Sequence, residues 1–210
     1  VGIKERRERE KLERRDSILQ AAVQVYMEEG YHATTMEKIA DTAELSRATL
    51  YLYFKTKDEI FVQAIARQSE IFARLLEGVH KRREEVGDNL LQELWNCFRK
   101  FYLLDPAIMN VTLYFHQSQM LRSLPDPLRA ELDRTGSQNY SWLRRIAGYG
   151  IRQGLFRRCN EKTLAEFIWT AFLGIVHLEN SKTAMGRKSH MEETWALGLQ
   201  IMERGLMKKA

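Results

Sequence analysis

The stretch TTMEKIADTAELSRATLYLYFKTKDEI, residues 34–60, decides the fold. Thr34 and Thr35 are N-cap candidates for a short helix, and Glu37 stands where a capping box with Thr34 would place it. Met36, Ile39, Ala40 and Ala43 recur at helical spacing and give that helix one apolar face. A tight turn follows at Glu44-Leu45. Ser46 caps a third helix, Arg47 to about Tyr53, and Thr56 with Glu59 opens a fourth that runs to about His80. Upstream, a first helix runs from about Glu5 to Glu29 on the apolar line Leu12, Ile18, Leu19, Ala22, Val25 and Tyr26, and Gly30 stops it. Ile39, Ala40, Ala43, Leu45, Leu50 and Phe54 fill a small core, with alanines where helices cross closely. Two short helices across a tight turn predict a helix-turn-helix. Arg47, Ala48, Thr49, Tyr51, Leu52 and Tyr53 are left with outward-facing members, on a helix that fits the ~12 Å major groove of B-DNA.

Beyond this unit the chain reads as a second helical body. Helices are expected over Asp88 to Leu104, Ala107 to Leu124, about Leu128 to Gln153, Glu161 to about Thr183, and from Ser189 to near Lys208. Pro106, Pro125 and Pro127 punctuate them, Gly154 stops one, Asn160 caps the next, and Ser189 with Glu192 caps the last. Lys81 to Asn89 is the polar joint. The reading is all-α: an N-terminal three-helix helix-turn-helix domain over residues 12–72, and a C-terminal helical domain over residues 73–210.

The 210 residues carry a net charge of +5, with both signs abundant. That is the composition of a soluble globular protein. Charge is unevenly placed. Residues 1–15 hold seven basic and four acidic side chains, residues 16–45 one basic and six acidic, and residues 46–57 three basic and none acidic. Two basic clusters flanking an acidic stretch suit a polyanion held by an arm and one short helix. No apolar run approaches the ~18 residues of a membrane span. The charged N-terminus lacks the apolar core of a secretory signal. Cys97 and Cys159 form no CxxC pair, so a reduced, cytoplasmic setting is expected.

The order T-T-M-x-x-I-A-x-x-A, then L-S-x-A-T-L-Y-x-Y-F-x-x-K-D-E, resembles the DNA-binding domain of the TetR/AcrR family of regulators over roughly Glu13 to Gln68. The resemblance implies a homodimer that reads double-stranded operator DNA, with a C-terminal body that receives a small-molecule effector and dimerises. Repression is the family's usual sign. Glu44 departs from the pattern, because the family usually has Gly in that turn. Glu there predicts either an altered turn or a strain of ~1 kcal/mol. By resemblance and chemistry together, Thr35, Tyr53 and Lys57 hold phosphates, with Lys38, Lys55, Arg14 and Arg15 adding to them. Ser46 and Thr49 belong to the same face. Arg47 is the candidate for a base edge, since its guanidinium can fork onto guanine; Ala48 and Tyr51 touch bases or thymine methyls.

Aromatic and methionine side chains concentrate in the second body. Trp95, Phe98, Tyr102, Met109, Phe115, His116, Met120, Trp142 and Trp169 are the candidate lining of a cavity for an apolar or aromatic ligand. The last two helices carry apolar stripes. By the resemblance, Phe167, Ile168, Ala171, Ile175, Trp195, Leu199, Met202 and Leu206 form the dimer interface. An alternative reading makes the C-terminal body a docking module for a protein partner. Gly148, Gly150 and Gly154 do not have phosphate-loop spacing and read as close helix packing with a helix stop. No metal site, cofactor or catalytic constellation is expected, so the chain reads as non-enzymatic.

Overall fold

The computed structural model describes residues 2–207. They form eleven α-helices: α1 Ile3–Ala33, α2 Met36–Thr42, α3 Arg47–Tyr53, α4 Lys57–Lys81, α5 Arg83–Val86, α6 Leu90–Leu104, α7 Pro106–Phe115, α8 Ser118–Ser123, α9 Asp126–Arg152, α10 Glu161–Ala184 and α11 Met191–Leu206. A 3₁₀ turn, Gly87–Asn89, precedes α6. Among the described residues the only β pairing is an isolated bridge between Phe156 and Met207. No helix among them is long and apolar enough to cross a membrane. The expected end of the last helix near Lys208 lies outside the described residues.

The helix starts show which caps the sequence uses. Thr35, not Thr34, caps α2 by accepting the Lys38 N–H. Thr34 is buried and its hydroxyl donates back to the Gly30 carbonyl at 2.8 Å. Gly30 takes φ 79°, so the regular helix breaks there as expected and a single further turn reaches Ala33. Ser46 accepts the Thr49 N–H at 3.1 Å, and Asn160 accepts those of Lys162 and Thr163.

Other boundaries differ from the sequence reading. The segment expected as one helix from Ala107 to Leu124 breaks at His116-Gln117, where Gln117 is extended (φ −64°, ψ 134°). The polar joint after Lys81 contains α5 and the 3₁₀ turn. Ser189 and Glu192 do not form the expected box. The Ser189 hydroxyl donates to Glu179, and Glu192 is taken by Arg99. Leu12, placed on the apolar line of α1, is exposed.

Two compact units result. One comprises Val1–Gln68 with Tyr114–Leu132, the other Ser69–Leu113 with Asp133–Ala210. The first is centred on Ile18, Ala22, Val25, Ile39, Ala40, Leu50, Phe54, Ile60, Phe61 and Phe115, all buried. Ala43 and Leu45 are only half-buried. The second has an aromatic centre, where Phe72 stacks on Phe101 (4.2 Å between centroids) and Phe98 meets Phe172 (5.0 Å). Gly150 is small for a local reason, because a Cβ there would strike the Phe156 ring. Gly154, at φ 74°, ends α9.

Candidate nucleic-acid interface

The reading helix is positioned from both ends. Leu50 and Phe54 are fully buried and fix α3 on the first unit's core. Ser46 fixes its first turn. Between α2 and α3 the chain turns at Glu44, the single non-glycine with positive φ (54°) among the described residues. Backbone bonds from Ala43 to Ile39, Glu44 to Asp41 and Leu45 to Ala40, at 2.8–3.1 Å, close the turn. Glu44 therefore keeps the left-handed turn that the family's Gly would give and carries the strain.

This arrangement leaves Arg47, Ala48, Tyr51 and Leu52 exposed on α3, with Thr49 and Tyr53 half-buried. Arg47 pairs with Glu37 at 2.8 Å, with its side chain 65% exposed. Such a surface pair contributes only ~0–1 kcal/mol, so the guanidinium is readily exchanged onto another acceptor. Lys55 donates to the Tyr51 carbonyl at 2.8 Å and caps the end of α3. Lys38 sits beside Glu29 and donates to the Ala33 carbonyl. Arg15, on the arm, lies 4.6 Å over the Phe54 ring.

Lys57 is not placed as the sequence led us to expect. Its ammonium donates to the carbonyls of Tyr31 (2.7 Å) and Thr34 (2.9 Å) and rests 4.2 Å over the Tyr31 ring. Burial lowers its pKa, against an upward pull from Asp58. All three N–H directions are taken, so in this conformation none is left for a phosphate. The Tyr31 hydroxyl bonds Asp58. Its ring packs against Phe61, Tyr114 and Phe115. Together these contacts hold the end of α1 to the start of α4.

The expected ligand cluster is dispersed. Trp95, Phe98 and Met109 are buried in the second unit's core, with Phe98 6.0 Å from Trp169. Tyr102 is half-buried, and its hydroxyl lies 3.5 Å from Asn180 Oδ1. Trp142 packs on His80 and lies under Arg145. Phe115, however, is fully buried in the first unit against Tyr31 and Phe61. His116 (exposed) and Met120 (half-buried) belong to the same unit.

The dimer stripes also divide. Ile168, Trp195 and Met202 are buried within the subunit, and Ala171, Ile175, Leu199 and Leu206 are half-buried. Phe167 is 53% exposed, and Leu178, Leu197 and Ile201 are exposed with it. Leu197 and Ile201 escaped the sequence reading, although each lies one helical turn from its stripe. The sequence reading also missed Glu179, a buried carboxylate. Its pKa is lowered chiefly by Lys182, with Ser189 and the His190 N–H assisting against burial.

Residues 18–64 match the family model described as bacterial regulatory proteins, tetR family. The chain is 24% identical over 174 residues to the uncharacterised HTH-type transcriptional regulator YhgD of Bacillus subtilis, covering 79% of this chain and 83% of that one. It is 29% identical over 148 residues to the HTH-type transcriptional repressor KstR2 of Mycobacterium tuberculosis, covering 69% and 70%. Among solved structures it is similar to the transcriptional regulator FadR of Bacillus subtilis in complex with stearoyl-CoA. That similarity has a TM-score of 0.68 at 22% identity, over 89% of this chain and 96% of that one. With the motif's residues seated on α1 to α4 as a helix-turn-helix, the chain belongs to the TetR family of DNA-binding transcriptional regulators.

Proposed function

We propose that the protein is a homodimeric repressor that leaves its operator when a small apolar or aromatic molecule occupies the C-terminal domain. The observation that carries the DNA-reading part is the presentation of α3. Its buried Leu50 and Phe54 hold it in place while Arg47, Ala48 and Tyr51 face solvent. In this reading residues 12–72 read DNA, and residues 73–210 receive the effector and dimerise. Arg47 gives up Glu37 for a base edge. Thr35, Ser46, Thr49, Tyr53, Lys38 and Lys55 serve the backbone on either side. Phe167, Ala171, Leu178, Leu197 and Ile201 meet their mates across the dyad.

Repression is supported by the relative KstR2, named a repressor. An effector is supported by FadR, solved with stearoyl-CoA. The effector must bind the two conformations unequally for release to follow. Tyr114–Leu132, a segment of the effector-receiving half of the sequence, folds into the same compact unit as the helix-turn-helix. That gives occupancy a physical route to the DNA-reading helices. Such a protein works where the chromosome is, in the cytoplasm.

The test is selection from a randomised duplex pool. The wild type should recover near-palindromic sites with half-sites about one helical turn, or a multiple, apart. Arg47→Ala should lose ~1–3 kcal/mol on that site and relax one base position per half-site. Recovery of no preferred sequence by the wild type refutes the reading. Uniform weakening by Arg47→Ala would assign Arg47 to the phosphates instead.

A further inference from the structure

A pocket of about 280 Å³ opens between α6 and α11, walled by Arg99, Tyr102, Leu103, Met191, Glu192 and Trp195 among others. That is just below the ~300–1,000 Å³ of drug-sized sites, so its occupant is small. Trp195 is only 5% exposed and stacks on Trp95, 4.4 Å between centroids. Its backbone carbonyl accepts the Trp95 N–H at 3.0 Å. Its own Nε1–H is buried and has no acceptor among the described residues. A buried donor without an acceptor is rare, because its lost hydration is not replaced. The Tyr102 hydroxyl, also in the wall, has only a long 3.5 Å approach to Asn180. On the pocket's rim the Arg99 guanidinium grips the Glu192 carboxylate through two bonds, 3.2 and 2.7 Å. Both side chains are largely solvent-exposed, so this pair is easily exchanged.

The wall therefore offers three donors and an indole-lined, partly apolar surface. Its one well-placed acceptor is a mobile carboxylate already seated on the guanidinium. We propose that this pocket binds a small aromatic carboxylate. Its ring lies against Trp195, Leu103 and Met191. Its carboxylate takes Arg99 from Glu192 and accepts the Trp195 N–H. Glu192 then acts as a built-in competitor, and Glu193 on the same rim adds repulsion. Occupancy breaks the Arg99–Glu192 link between α6 and α11. The inference rests on the effector reading only in supposing that this break reaches the DNA; the binding itself does not depend on it.

The probe is sodium 4-phenylbutyrate, titrated into the full chain with ¹⁵N-labelled indoles. The Trp195 indole signal, assigned by its loss in Trp195→Phe, should move while those of Trp142 and Trp169 stay. Glu192→Gln should tighten binding severalfold. Arg99→Gln should weaken it about tenfold or more, as should replacing the acid with 4-phenylbutanamide. Equal affinity for acid and amide overturns the proposal. So does an unmoved Trp195 signal at saturation, or a Glu192→Gln variant that binds no tighter. Both Arg99 and Glu192 are surface side chains, so their variants report on binding even if Trp195→Phe misfolds. A chain that selects an operator but ignores 4-phenylbutyrate refutes this site and leaves the regulator reading standing. A chain that binds 4-phenylbutyrate as described but keeps its operator establishes the site and removes the effector role.

Discussion

Lys57 separates two accounts of the first unit, and Lys57→Met decides between them. Methionine keeps the apolar stem and removes the ammonium that joins Tyr31 O, Thr34 O and the Tyr31 ring. Hydrogen bonds from a charged donor contribute ~1.5–3 kcal/mol each. The gross loss is offset in two ways. Lys57 is only half-buried, so water can reach its carbonyl partners in the variant. Methionine also lacks the desolvation penalty that lowers the lysine's pKa. A net destabilisation of about 2 kcal/mol remains, which for a chain of this size lowers Tm by roughly 4–8 °C. The assay pairs a thermal melt with binding to the selected operator across a salt series. A staple lowers Tm and leaves the salt slope unchanged. A phosphate-holding lysine leaves Tm alone and flattens the log–log slope by about one unit per lost phosphate contact. An unchanged Tm with a flattened slope would refute the staple.

Three further outcomes are expected. Ile201→Asp or Phe167→Asp, at positions 58% and 53% exposed within the subunit, should leave the fold intact yet yield monomers in sedimentation equilibrium, because pairing would bury an unpaired charge at ~3–5 kcal/mol; dimers at micromolar concentration would contradict that face. Glu44→Gly should relieve the φ of 54° and raise stability by ~0.5–1 kcal/mol after the entropy of the freer unfolded chain is subtracted, whereas Glu44→Ala keeps the strain; an equal gain from alanine would point to charge instead. Burial, then Arg83, Arg145 and Arg152, lower the pKa of His80 below its ordinary 6.5. Its neutral form favours folding, so its contribution is complete above about pH 6.5 and is lost as pH falls through the lower folded value. Urea titrations at pH 7 and pH 5.5 should show a smaller acid loss for His80→Gln than for wild type, and an identical loss would assign the effect to other groups.

Local chemistry was the legible part. Ser46, Asn160, Gly30 and Gly154 act where the sequence placed them, because a cap or a glycine stop needs only its immediate neighbours. The misreadings arose where a distant partner competed for the same group. Ser189 and Glu192 have capping-box spacing, but Glu179 and Arg99 take both side chains. Lys57 stands in the motif like a phosphate donor, but two carbonyls more than twenty residues upstream take its ammonium. The break at His116-Gln117 has no glycine or proline to announce it. Phe115 has the composition of a pocket residue; only tertiary structure assigns it to the Tyr31 and Phe61 cluster.

The last two helices show how far periodicity can be taken. On α10, Leu164, Ile168, Phe172 and Val176 repeat every fourth residue and are all buried. Phe167 and Leu178 lie off that line and are exposed, with Ala171 half-buried beside them. On α11, Trp195 and Met202 point inward while Leu197 and Ile201 remain in solvent. A helix that needed to cover one core would carry one apolar stripe, with polar residues opposite. Two stripes on each of two neighbouring helices call for a second apolar surface, since large exposed apolar groups in a cluster mark an interface. Sequence spacing revealed both stripes but not which of them faced inward, because rotating a helix exchanges their roles without changing the period. That choice was made by the Trp95–Trp195 stack, whose partners are one hundred residues apart. Once the stack holds Trp195 inside, the stripe left for a second subunit runs through Leu197 and Ile201, one turn away from the residues that hydrophobicity alone selects.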